Sequence, residues 1–491
     1  MNEFLELSAR ALAARISDGS ASAREVVDAH IDAIERVNPT LNAVVATRYD
    51  EARREADEAD DRVRRGEAGR GPFHGVPCTI KESFALSGMP HTSGLPRRVG
   101  RPAQGDATAV ARMRSAGLIP LGVTNTSELC MWMETNNRVY GRTNNPYDAS
   151  RIVGGSSGGE GAIVGAGASP IGLGADVGGS IRMPAFFCGA FGHKPTGGLI
   201  PNTGQWPIAE NEALRYLTTG PITRRAEDIW PYLKALAGPD GEDEGCQLIE
   251  LGDPADVDLA GLQVITVADN GRTRVSPELK SAQRLCADHL ANLGARVREI
   301  HIDDLSHSFE IWGAMMEAAG GTPFRELLGE GEPISLLREF LGLMVGRSDH
   351  TLPALVLALG EKFPALRGER GARLVERGRQ LQLRVEAEMG DGVMLYPSYS
   401  CTAPPHFGPL RRPFDWVYTA IINVLELPAT QVPLGLDQAG LPLGVQVIAR
   451  RGADHRTVAV ALEFERAFGG WVPPPNVPPN ASAEAAASSS S

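Results

Sequence analysis

The 491-residue chain is 42% apolar and 22% charged, an ordinary globular composition with ample material for a large core. A formal charge of −12 argues against a nucleic-acid-binding surface, because that affinity rests on basic patches. The six cysteines lack CxxC spacing and read as free thiols of a reducing compartment; with no apolar signal segment and no run of 18 apolar residues, the chain is expected in the cytoplasm without an integral membrane segment.

Two amphipathic helices open the chain. Ser8 begins the first, and Ser22-Ala23-Arg24-Glu25 fits a capping box for the second, which Asn38-Pro39 is expected to stop. A long charged helix follows over about 49–67. From 71 to about 196 the chain is dense in glycine, with short apolar runs at 76–80, 118–123 and 171–173 that read as buried strands of an α/β core. Residues 301–390 read as helical and rich in Leu and Met, and 393–449 returns to strand-like runs such as 444–448. The tail after Trp471, Pro-rich and then Ala/Ser-rich, is expected to be disordered or vector-derived.

Three segments carry the chemistry. The first ends in Ile80-Lys81-Glu82. Lys81 closes an apolar run in a chain with only five lysines, and burial would lower its pKa until it can act as a base. It also reads as a lysine that snorkels to the surface or pairs with Glu82. The second, Gly154-Gly155-Ser156-Ser157-Gly158-Gly159, brings backbone into close contact with something. It satisfies GxSxG, so a nucleophile elbow competes, but it fails the P-loop and GxGxxG tests. In the third, Asp176-Val177-Gly178-Gly179-Ser180-Ile181-Arg182, paired glycines before a serine can aim consecutive N–H groups at one point, as an oxyanion hole requires; the segment also reads as a simple turn.

In combination the segments are far more specific. Gly-Gly-Ser-Ser-Gly-Gly, with Gly-Gly-Ser following 24 positions on and a buried-type lysine upstream, resembles the amidase-signature family. The resemblance covers nearly the whole chain, including Asn144-Asn145-Pro146-Tyr147, His193-Lys194-Pro195-Thr196 and Gly440-Leu441-Pro442-Leu443-Gly444. Over 154–196 it is most similar to the fatty-acid amide hydrolase branch. It implies an α/β fold with a mixed β-sheet sandwiched between α-helices, in one catalytic domain over 1–472. Within that domain it implies N-terminal helices (1–70), a signature core (71–200) and a variable helical pocket region (about 301–390), with a tail at 473–491.

The resemblance also implies a Ser-Ser-Lys triad. Ser180 attacks the carbonyl, and Ser156, expected after a cis peptide bond, relays the proton to Lys81. The N–H groups of Val177, Gly178, Gly179 and Ser180 form the oxyanion hole, while Ser157, Asp176 and Arg182 support the loop. Cys130, Met131, Met133 and Thr135 fall where relatives line the acyl pocket, and the stretch 312–359 is expected to form its variable wall. No cofactor is implied. The ten histidines are dispersed without HExxH, so no zinc site is expected, and His193 reads as structural. The absence of SxxK removes the penicillin-binding type of Ser/Lys enzyme.

The expected activity is hydrolysis of apolar or aryl amides through an acyl-enzyme. A carbamate or ester hydrolase using the same triad is the alternative, and an amidotransferase subunit is opposed by the acidic charge and by Gly179-Ser180-Ile181-Arg182-Met183-Pro184. The expected partner is a small-molecule substrate rather than nucleic acid, and a homodimer stays open.

Overall fold

Ser8 and Ser22 start the first two helices as their sequence predicts. Ser8 Oγ accepts from the Ala11 N–H at 3.0 Å, and Ser22 forms a complete capping box with Glu25. The computed structural model describes residues 2–67, 69, 71–361 and 368–475. Pro39 does not stop the second helix, which runs over Ala23–Leu41 and ends at the left-handed Asn42. The proline is tolerated because it and Glu35, whose carbonyl loses its donor, both face solvent. The charged helix covers Tyr49–Arg64. Of the tail expected to be disordered, residues 476–491 lie outside the described residues, while the Val472 carbonyl accepts from Tyr147 Oη at 2.6 Å.

The strands, in chain order, begin with β1 (Val44–Thr47), β2 (Pro77–Lys81) and β3 (Ile119–Thr124). A small ribbon, β4 (Asn136–Asn137) and β5 (Gly141–Arg142), precedes β6 (Ile171–Asp176), β7 (Phe191–Lys194) and β8 (Thr218–Thr223). Then come β9 (Gln263–Thr266), β10 (Arg296–Glu299), β11 (Val393–Tyr396), β12 (Ala429–Leu436) and β13 (Pro442–Ala449). Eleven of them form one sheet in the order β1-β3-β2-β6-β8-β7-β12-β13-β11-β9-β10. The sheet is mixed: β2 runs parallel to β3 and β6, whereas β6, β8, β7, β12 and β13 pair antiparallel in turn.

Strands β2, β3, β6 and β8 are buried at every position, which is why they read as apolar or glycine-rich runs rather than as alternations. The two faces separate two cores. In β11, Val393 and Leu395 enter the core that holds Ile34, Ile80 and Leu173, while Met394 and Tyr396 enter the one that holds Ile311, Val385 and Ile421. Helices Ser308–Ala319, Gly368–Met389 and Val417–Val424 cover this second face. A smaller cluster of Leu95, Leu129, Phe324, Leu328 and Leu355 seats the other helices of the 301–390 region against the loop after β3. Among the described residues, no helix is long and apolar enough to cross a membrane.

Candidate active site

Lys81 is the last residue of β2 and is fully buried, so it does not snorkel. Nor does it pair with Glu82, whose carboxylate accepts from Thr92, Ser93 and Tyr140 instead. Lys81 Nζ donates to Ser156 Oγ at 2.7 Å. Burial pushes the amine below its ordinary value, with Cys130, Asp176 and Glu160 pulling the other way.

Ser156 follows a cis peptide bond from Gly155, as expected from the resemblance. Gly155 is required by close approach, since a Cβ there would stand 2.2 Å from the Trp132 carbonyl oxygen. Ser157, the other serine of GxSxG, turns away. Its Oγ donates to the Ala175 carbonyl at 3.2 Å and accepts from the Ala175 N–H at 3.3 Å, with no exposed surface. The Ser157 N–H donates to the Ser180 carbonyl at 3.2 Å, joining the two serine loops.

The loop after β6 is built around Asp176, which is fully buried. Its carboxylate accepts from the N–H groups of Gly179 (2.7 Å) and Ile181 (3.0 Å) and from both arms of Arg182. Burial raises the Asp176 carboxyl, but the Arg182 charge overrides it and holds the group well below the usual range. Arg182 in turn reaches Gln446 Oε1 and Asn423 Oδ1, tying the loop to β13 and to the Val417–Val424 helix. The Val177 and Gly178 carbonyls accept from Trp312 Nε1 (3.1 Å) and Thr419 Oγ1 (2.9 Å), which fixes both peptide planes. Of the four N–H groups expected to face an oxyanion, that of Gly179 is committed to Asp176. Those of Val177, Gly178 and Ser180 meet no protein acceptor among the described residues.

Lys81, Ser156 and Ser180 share one cavity of about 640 Å³, and Ser180 keeps 7% of its surface exposed. Cys130 and Met131 line this cavity, whereas Met133 and Thr135 do not. Met133 packs in the core with Ile152 and Phe186, and Thr135 Oγ1 bridges the Gly154 carbonyl and the Gly158 N–H. The wall is largely apolar: Leu129, Met131, Trp206, Ile208, Met316 and Phe324. The helical region contributes chiefly through 313–333, while the Leu336–Met344 and Leu352–Gly360 helices stand outside the lining.

The stretch 205–217, with its cis Trp206-Pro207 bond, also lines the cavity; its only local signal is an aromatic-proline pair after Gly204, which marks a shaped turn. Thr419 and Asn423 carry no local signal; their roles arise from contacts with residues more than 200 positions away. His193 lies between Thr430 and Asp454, away from the cavity. Among the described residues, no three His, Cys, Asp or Glu side chains converge to hold a metal. The arrangement therefore offers a buried amine bonded to a serine, a second serine in the same cavity, and free N–H groups beside it. That set suits attack on a carbonyl and stabilisation of the resulting oxyanion.

The family model "Amidase" matches residues 25–458. Fatty-acid amide hydrolase 2-A of Danio rerio is 45% identical, over 96% of this chain and 91% of its own. Fatty-acid amide hydrolase 2 of Homo sapiens is 44% identical over the same shares. Among solved structures, 6-aminohexanoate cyclic dimer hydrolase complexed with substrate superposes with a TM-score of 0.80 at 27% identity, over 96% of this chain and 99% of its own.

Proposed function

Since the chain belongs to the amidase family, we propose that it is a serine hydrolase that cleaves apolar or aryl amides through Ser180, Ser156 and Lys81. The observation that carries this reading is the 2.7 Å contact between Lys81 Nζ and Ser156 Oγ at the floor of the cavity that also holds Ser180. With Lys81 as the free amine, the Ser156 hydroxyl passes its proton to Nζ as it takes the proton of Ser180. Ser180 Oγ then bonds to the substrate carbonyl carbon, and the oxygen takes the negative charge beside the N–H groups of Val177, Gly178 and Ser180. The same relay returns a proton to the leaving amine, so the C–N bond breaks and an acyl-Ser180 ester remains. Water, deprotonated by the reverse route, releases the acid. The wall of Leu129, Met131, Trp206, Ile208, Met316 and Phe324 suits an apolar acyl or aryl group.

Labelling with a fluorophosphonate, read by intact mass and peptide mapping, tests the assignment. One adduct on Ser180, lost in Lys81→Ala, is expected. An adduct on Ser156 or Ser157 would overturn it. The same attack applies to esters and carbamates, and rates on matched amide, ester and carbamate substrates rank the three.

A further inference from the structure

Glu160 stands in the first turn of the Gly158–Gly165 helix, amid glycine and apolar residues, and is fully buried. Its Oε2 accepts from Thr79 Oγ1 at 2.7 Å and its Oε1 from Thr124 Oγ1 at 2.8 Å. Gly172 on β6 leaves the space: a Cβ there would stand 1.8 Å from Oε2. The carboxyl is thus lodged against β2, β3 and β6, of which β2 and β6 bring Lys81 and Ala175 to the cavity. Thr79 and Lys81 are two apart on β2 and so face the same side, and Thr124 is the register partner of Lys81 on β3. The two hydroxyls that hold Glu160 therefore belong to the immediate surroundings of Lys81. A carboxyl in this place is not needed to hold three strands together, since an amide of the same shape would bond the same hydroxyls.

We propose that Glu160 is a positioning residue for Lys81: held on the same strand face by Thr79 and Thr124, it governs through its charge whether Lys81 keeps or releases its proton. This rests on the reading of Lys81 as the base. An ionised carboxylate favours the ammonium form of a neighbouring lysine, whereas a neutral group of equal shape does not. The charges of Lys81 and Glu160 act on each other, and burial pushes the Glu160 carboxyl up to about 8, so the two titrate as a coupled pair. Cys78 and Tyr232 also act on the Glu160 side, and burial pushes both well above their ordinary values, so they stay neutral. Cys130 and Asp176 face Lys81, and the charge of Asp176 is matched by Arg182.

The test is the rate of Ser180 labelling by a fluorophosphonate as a function of pH, in the wild type, Glu160→Gln, Thr79→Val and Lys81→Ala. Because the Glu160 carboxyl ionises only around pH 8, Glu160→Gln is expected to move the part of the limb above that pH to lower pH by up to about one unit, with labelling there up to about tenfold faster, and to leave the part below it in place. Thr79→Val removes a donor that favours the carboxylate, so it should shift the limb the same way by less. If Glu160→Gln does not fold, Thr79→Val carries the test. An unmoved acid limb in the folded variants overturns the proposal. If Lys81→Ala instead labels at the wild-type rate with the same limb, the reading of Lys81 as base fails, which is a separate result.

Discussion

Asp176 and Arg182 meet as a two-armed ion pair with no exposed surface, Nε to Oδ2 and Nη2 to Oδ1, each at 3.0 Å. The same carboxylate holds the Gly179 and Ile181 N–H groups, so one pair shapes the loop that presents Ser180. Removing one partner of a buried pair strands the other charge and costs about 3–5 kcal/mol. Arg182→Met is expected to lose at least that much stability in urea titrations. It should also stop fluorophosphonate labelling even at temperatures where it remains folded.

The pH dependence of stability follows from the same carboxyl. Its folded pKa lies below its unfolded value, so its contribution is full above the unfolded pKa of about 3.9 and is lost as pH falls through the folded pKa. Asp176→Asn, which keeps the shape without the charge, should flatten the fall in stability on the acid side of pH 4, roughly the unfolded value. Urea midpoints measured from neutral pH down to pH 3, about a unit below that value, check this. A fall as steep as in the wild type would show that other groups govern acid unfolding.

Gly178 and Gly179 differ in what they tolerate. A Cβ on Gly179 would stand 2.1 Å from Thr419 Oγ1 at a φ of +117°, whereas one on Gly178 would meet Trp416 Cζ3 at 3.1 Å. Gly179→Ala must displace the loop or Thr419, and with it the N–H groups proposed to hold the oxyanion, for an expected rate loss of roughly 100-fold or more. Gly178→Ala asks only that an indole edge give way, so its loss should be smaller. Turnover of a single anilide by both variants, alongside thermal unfolding, gives the ranking.

Ser157 separates the present reading from a nucleophile elbow. Its hydroxyl serves the Ala175 backbone, so Ser157→Ala should cost about 1–2 kcal/mol of stability by leaving buried groups unpaired. Peptide mapping should still find the fluorophosphonate on Ser180. Complete loss of the adduct in a folded Ser157→Ala protein would favour the elbow.

Trp206, joined to Pro207 by a cis bond, forms part of the cavity wall, with the Arg98 guanidinium 4.1 Å from its ring centre. Trp206→Ala removes apolar contact from long or aromatic acyl groups but not from short ones. KM for a long-chain amide is expected to rise about tenfold, roughly 1.4 kcal/mol, with acetamide-like substrates little affected. An equal change across chain lengths would mean that the indole shapes the wall without touching the acyl group.

Much of this molecule is local and therefore readable along the chain. Ser8 and Ser22 cap helices because their hydroxyls reach N–H groups three residues away, and the runs ending at Lys81 and Asp176 are strands because both of their faces are buried. The motifs at 154–159 and 178–180 announce close backbone approach, which requires glycine whatever the rest of the chain does. What those glycines approach was decided only by the tertiary structure. Gly155 faces the Trp132 carbonyl, and Gly179 faces Thr419, 240 positions further on. The same holds for Ser156 and Ser157, chemically identical neighbours in the sequence. Long-range contacts alone set one on Lys81 and the other on Ala175. The cavity wall is the extreme case: Met131 lines it and Met133 does not, because the chain turns between them, and an apolar side chain carries no mark of whether it will face core or cavity.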